Sequence, residues 1–336
     1  MRKRILFTHP LINGSDPSFW MRLVFLFLCL LTTIPGFCQH SKSWKDLNYA
    51  GDTLIYHRMD LYLPEREQPD YPVVIVVYGS AWYGNNLKGV DYPSLGKALL
   101  YSGFAVAMPN HQSSKDAIFP AQINDIKAVV RFLRANAASF QIDTSFVGIT
   151  GSSSGGHLSA LAGTTGGVGT YSPGTETADL EGAVGQCSGY SSSVDAVVDW
   201  FGPTHFLLMD SCGSQMNHDS PNSPESGLIG GAIQDHKERC ALANPVTYVD
   251  EADPPFLIIH GDNDPLVPHC QSEILYNALQ QKGIRSEFIL VPGGQHGLGV
   301  HTDEYINKMV QFFREIARNK QTKGIGMISG KHNNNL

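Results

Sequence analysis

The sequence predicts an α/β fold, with a mostly parallel central sheet and helices on both of its faces. Two observations carry this. Short apolar runs bounded by Pro or Gly, such as "YPVVIVVYG" at 71–79 and "PPFLIIHG" at 254–261, read as strands buried on both faces. Between such runs lie segments with apolar residues at helical spacing. Strand and helix therefore alternate along the chain, as they must when helices cover both faces of a parallel sheet. With 336 residues, 42% of them hydrophobic, the chain can bury one sizeable core, and a single catalytic domain over 39–320 is expected.

The elements follow in order. "LIYHRMDLYLP" at 54–64 alternates like a strand with one wet face. After the buried strand at 71–79 come an apolar-periodic segment at 94–102, a strand in "GFAVAMP", and a long helix after Pro120. That helix sets Ile123, Ile126, Val130 and Leu133 on one side. "FVGIT" at 146–150 is the next strand and "GGHLSALAG" the next helix. "DAVVDWFG", "PPFLIIHG" and "SEFILVPGG" follow as strands, with helical patterns at 271–282 and 303–317.

Three segments break this rhythm. Residues 164–190 are rich in Gly, Ser and Thr and read as a long surface loop; residues 205–239 are a polar insertion. The final "QTKGIGMISGKHNNNL" (321–336) is a polar tail expected to be disordered.

The N-terminus belongs to export rather than to the fold. "MRLVFLFLCLLTTIPGFCQ" pairs a positive residue with an apolar run too short to span a bilayer, then a small-x-small pattern. This predicts a signal peptide within 21–38 cleaved after Cys38, and a secreted or periplasmic protein with no membrane attachment thereafter. Residues 1–20 read as an over-extended start, with Met21 as initiator. Export leaves Cys187, Cys212, Cys240 and Cys270 in an oxidising compartment. Cys212 and Cys240 flank the polar insertion and are expected to pair, with Cys187 and Cys270 as free buried thiols. The net charge of −7 argues against a nucleic-acid partner, which would need a basic face.

The chemistry concentrates in "VGITGSSSGGHLSALAG" at 147–163. A nucleophilic hydroxyl held on a sharp strand-to-helix turn needs glycine two residues before and two after it, because the turn crowds its neighbours. Only Gly151-Ser152-Ser153-Ser154-Gly155 satisfies that frame, so Ser153 is the nucleophile. An acid and then a histidine should follow in the chain. "HGDNDPLVP" places Asp262 and Asp264 just after a buried strand, at the ligand-binding rim of an open α/β sheet. Spacing leaves both open as the acid. "PGGQHG" puts His296, the expected proton shuttle, in a glycine loop after the next strand. His157 reads as a helix-packing residue and His260 as the end of a buried strand. His205, His218 and His236 read as solvated residues of the insertion. For the oxyanion, "YGSAW" offers the N–H groups of Ser80 and Ala81, and the N–H of Ser154 follows the nucleophile. Neither metal-ligand spacing nor a phosphate-binding glycine loop is found, so no cofactor is expected.

Taken together, "YGSAW", "GSSSGGH", "FGPTHF", "SPESGLIGG", "HGDNDPLVP" and "PGGQHG" resemble the α/β-hydrolase esterases of the bifunctional feruloyl/acetylxylan esterase group, relatives of the hormone-sensitive-lipase-like esterases. The resemblance runs from about Tyr71 to the helix ending near Ala317. It implies Ser153 as nucleophile, His296 as base and, from the family's H-G-x-x-D-x-x-V-P pattern, Asp264 as the acid. It also implies a short acyl ester on plant cell-wall polysaccharide as substrate. One departure is plain: the relatives usually begin the oxyanion loop His-Gly-Gly, where this chain has Tyr78-Gly79-Ser80. Two other activities fit the same motif order: a serine peptidase of prolyl-oligopeptidase type, and a hydrolase fold that binds without catalysing. Against the first stands the lack of a long N-terminal propeller domain, and against the second the retention of a full triad.

Overall fold

A computed structural model describes residues 42–332 of the chain. The signal segment, its cleavage site after Cys38, residues 1–20 and the last four residues of the tail lie outside the described residues.

Among these, eight strands form one sheet in the order β1-β2-β4-β3-β5-β8-β9-β10. They are β1 (Ser43–Asn48), β2 (Arg58–Tyr62), β3 (Tyr71–Val77), β4 (Ala105–Pro109), β5 (Ile142–Ser152), β8 (Ala196–Trp200), β9 (Phe256–Gly261) and β10 (Ser286–Val291). The first two pair antiparallel at one edge, and every neighbour pair from β4 through β10 is parallel. A separate antiparallel pair, β6 (Thr170–Tyr171) and β7 (Ala178–Asp179), sits within the loop predicted at 164–190.

The apolar runs explain the layering. Along β3, Val73, Ile75 and Val77 join one core, while Val74 and Val76 join another on the opposite face. Successive strand residues point to opposite faces, so a run apolar at every position requires cover on both. On the first face that cover is α2 (Ala121–Ala135), α4 (Ser154–Thr164) and α7 (Cys270–Gln281). Ile123, Ile126, Val130 and Leu133 of α2 are all buried there, as their spacing predicts. On the second face it is α1 (Lys97–Tyr101) and α8 (Asp303–His332), through Leu99, Met309 and Phe313. A four-residue helix, α3 (Ala137–Phe140), leads into β5.

Three expectations need correction. The histidines of the polar insertion are not all solvated: the insertion contains α5 (Pro224–Ile229) and leads into α6 (Lys237–Leu242), and His218 is buried with Glu225, Leu228 and Ile233. The tail expected to be disordered from 321 is helical as far as His332, where α8 ends. The disulfide joins Cys212 to Cys270, not Cys212 to Cys240. Proximity in sequence favoured Cys240, but α6 turns that thiol into the core, where it faces the Ile233 carbonyl. The fold instead brings the start of α7 beside the insertion, with Cα atoms 6.2 Å apart. Cys187 is free, as predicted, but half-buried rather than buried.

Candidate active site

Ser153 sits between the end of β5 and the start of α4 with φ 56° and ψ −121°, a conformation sparsely populated for any residue with a side chain. The turn is held from both sides: the Ser153 N–H donates to Trp200 O at 2.9 Å, and its carbonyl accepts from His157 N–H at 3.0 Å. The flanking glycines are required by contact. A Cβ on Gly155 would lie 2.1 Å from Val77 O, and one on Gly151 2.5 Å from the same atom. The crowding inferred from the motif is therefore present at both glycines that flank Ser153.

Asp264 follows β9, and its carboxylate is fully buried. Its Oδ2 accepts from His296 Nδ1 at 2.7 Å, while Oδ1 accepts the N–H groups of Leu266 and Val267. Burial alone would raise its pKa. Hydrogen bonds from His260 and His296, the His296 charge and the Leu266 amide outweigh this and hold the carboxyl well below the ordinary range. An ionised Asp264 fixes the His296 proton on Nδ1 and leaves Nε2 with its lone pair. Asp262 does different work: it is exposed, and its Oδ1 accepts the Gly293 N–H at 2.7 Å, tying together the loops after β9 and β10.

The sequence reading assigned His260 no part in the site. Its Nε2–H lies 2.8 Å from Val267 O and 3.3 Å from Asp264 Oδ2, while Ser272 Oγ donates to Nδ1. It thus fixes the loop that carries the acid. Only its position four residues before Asp264 could have hinted at this.

Ser153 and His296 line one cavity of about 450 Å³. Among the described residues no hydrogen bond joins them at rest. Phe201 packs on the His296 ring with centroids 4.7 Å apart, and His301 lies beside it. Burial, and then the charge of His296, push the His301 pKa down to about 4, so it stays neutral next to the base.

The oxyanion donors need one correction. The Ser80 N–H is already engaged, donating to Ser154 Oγ at 2.8 Å. The hydroxyl beside the nucleophile lies within reach of the first amide of the loop and captures it. Ala81 N–H and Ser154 N–H have no partner among the described residues, and both residues line the cavity. Ala81 has φ 51° and Trp82 φ 59°, so the loop backbone is turned as an ordinary strand exit would not be.

No cluster of three or more potential metal-ligating side chains occurs among the described residues, and no described helix is long and apolar enough to cross a membrane.

A parallel sheet flanked by helices, a strained serine at a strand-to-helix turn, and a His–Asp pair on the two following strand exits define an α/β-hydrolase. A family model described as BD-FAE matches residues 59–279, more than half of the chain, and the chain belongs to that family. Similar solved structures include two that are about half identical to this chain where they align. A truncated form of a carbohydrate esterase from gut microbiota is 47% identical, with a TM-score of 0.80, covering 83% of this chain and 98% of that one. A bifunctional GH43-CE of Bacteroides eggerthii is 51% identical, with a TM-score of 0.79, covering 82% of this chain and 35% of that one. Among curated proteins, Esterase LipQ of Mycobacterium tuberculosis is 29% identical over 72% of this chain and 53% of its own length. The chain thus spans about half the length of the first curated relatives it matches.

Proposed function

We propose that this chain is an exported serine carboxylesterase that removes short acyl groups, acetyl or feruloyl, from plant cell-wall polysaccharide such as xylan. The observation that carries the reading is the Asp264–His296 hydrogen bond beside Ser153 in one cavity. His296 Nε2 takes the Ser153 hydroxyl proton as Oγ attacks the ester carbonyl. The tetrahedral oxyanion accepts from Ala81 N–H and Ser154 N–H. His296 then returns the proton to the departing alcohol oxygen. In the second half His296 takes a proton from water, whose hydroxide attacks the acyl-enzyme and releases the acid with Ser153 restored. The resting gap between Ser153 and His296 closes in the substrate complex, as such contacts commonly do.

The polysaccharide reading is supported by the printed descriptions of the two similar solved structures, one a carbohydrate esterase and one a bifunctional GH43-CE. Export is supported by the apolar segment at 21–38.

The test is kcat/KM across acetyl, butyryl, octanoyl and feruloyl esters, with acetylated xylo-oligosaccharides alongside. Acetyl should exceed octanoyl, and the oligosaccharides should be turned over. A maximum at octanoyl or beyond overturns the carbohydrate reading. Inertness toward a fluorophosphonate probe overturns catalysis altogether. N-terminal sequencing of protein from the envelope or medium should begin at or near Gln39.

A further inference from the structure

The wall of the catalytic cavity carries two carboxylates that the reaction above does not use. Glu225, in the first turn of α5 within the "SPESGLIGG" motif, is 3% exposed. Asp91 comes from a different part of the chain, the loop before α1. Both line the cavity that holds Ser153 and His296.

Neither carboxylate has its full complement of donors. Among the described residues Asp91 accepts no hydrogen bond on its side chain, and its Oδ2 is buried without a partner. Glu225 Oε2 is buried and pairs with His218, whose Nδ1 lies 3.0 Å away. His218 is held in place from its other nitrogen, which donates to Leu266 O at 3.0 Å beside Ser214 Oγ. The other oxygens, Asp91 Oδ1 and Glu225 Oε1, accept no hydrogen bond among the described residues and belong to residues that line the cavity, where a donor would fill them. Burial pushes the Asp91 pKa up to about 6, as expected of a carboxyl lacking donors.

We infer that Glu225 and Asp91 are the anchor for the alcohol half of the ester, and that this half is a neutral polyhydroxylated sugar whose hydroxyls donate to the two carboxylates. The charge pattern selects among donors. Burial lowers the His218 pKa, but Glu225 outweighs this and raises it, so Glu225 faces a partner cation already. A cationic alcohol would therefore find little net charge at Glu225, whereas sugar hydroxyls find two open acceptor oxygens, Glu225 Oε1 and Asp91 Oδ1. Aryl and fatty alcohols have no hydroxyl to donate once esterified, so they make no use of this wall.

This inference rests on the esterase reading and specifies its substrate side. The experiment compares wild type with Glu225→Gln and Asp91→Asn, measuring kcat/KM on acetylated xylobiose and on 4-nitrophenyl acetate. Each variant should lower the sugar-to-aryl ratio at least tenfold, with the change residing in KM for the sugar ester. Unesterified xylobiose should inhibit aryl-ester hydrolysis by wild type at least tenfold more strongly than by either variant. Thermal melts identify a variant that fails to fold, in which case the other variant decides. A ratio within twofold of wild type for folded variants overturns the anchor while leaving the esterase reading intact. Turnover of acetylcholine exceeding that of acetylated xylobiose overturns the neutral-sugar assignment. Absence of sugar-ester turnover by wild type, with aryl-ester turnover retained, overturns the anchor together with the polysaccharide reading.

Discussion

Asp264 Oδ2 accepts the His296 Nδ1–H at 2.7 Å, from a carboxylate that is wholly buried and that two backbone amides also hold. The neighbouring acid, Asp262, caps a loop 31 residues downstream and is exposed. Asp264→Asn should therefore lower kcat by about 10³–10⁴, because an amide does not impose the Nδ1–H tautomer or stabilise the imidazolium. Asp262→Asn should cost less than about tenfold, as loss of one exposed hydrogen bond. Steady-state kinetics on an acetyl ester with both variants decides; the reverse ranking would move the acid to Asp262.

What could be read in advance divides along a physical line. Ser153 was legible because the constraint on it is local: Gly151 and Gly155 crowd the Val77 carbonyl in a way that depends on five consecutive residues and the strand beside them. The two-sided burial of β3 was legible for the same reason, since a strand apolar at every position has no wet face. Asp264 could be separated from Asp262 only through a family pattern, because which carboxylate reaches His296 depends on how two loops meet. The disulfide and the buried state of His218 and Glu225 were illegible because they depend on how the insertion folds back over the cavity, and its polar composition pointed the other way. The capture of Ser80 N–H by Ser154 Oγ also joins distant residues, and the motif alone made all three amides look equivalent.

The three serines at the turn should separate cleanly. Ser153→Ala removes the attacking oxygen and should lower kcat by roughly 10⁴ or more. Ser154→Ala removes a hydroxyl that occupies the Ser80 amide; kcat should stay within about tenfold of wild type, because the Ala81 and Ser154 N–H groups that face the oxyanion are untouched. Among the described residues Ser152 Oγ meets the His301 ring, at 3.3 Å, and its replacement by Ala should likewise be mild. An inactive Ser152→Ala variant with a normal melt would mean that the glycine frame had selected the wrong serine.

The Cys212–Cys270 bond closes a span of 58 residues, which on the chain-entropy estimate stabilises the fold by about 4 kcal/mol. It also pins the insertion to α7, next to the loop in which Gln215 N–H meets Pro265 O and Ser214 Oγ meets Leu266 O. Peptide mapping without reduction should recover a 212–270 linked pair. Cys270→Ser should lower both the denaturation midpoint and kcat/KM, while Cys240→Ser should leave the linked pair intact. Recovery of a 212–240 pair would refute the assignment.

His57 makes stability depend on pH at the other side of the sheet. It lies just before β2, with Nδ1 2.5 Å from Asp52 Oδ2 and Nε2 3.1 Å from the buried Asp125 Oδ1. Burial alone would lower its pKa, but the hydrogen bonds and charges of Asp125 and Asp52 outweigh that and raise it above the ordinary 6.5. The folded state thus binds this proton more tightly than the unfolded chain. The stabilisation is complete below the unfolded pKa and is lost as pH rises through the folded one. His57→Gln abolishes the titration but keeps a side chain that can hydrogen-bond. The variant should melt below wild type by the widest margin near pH 5.5, and the gap should narrow steadily toward pH 9. Melting curves of both proteins across that range in one buffer system decide: a gap constant with pH would mean that His57 serves as a neutral packing residue and that the two aspartates are satisfied without its charge.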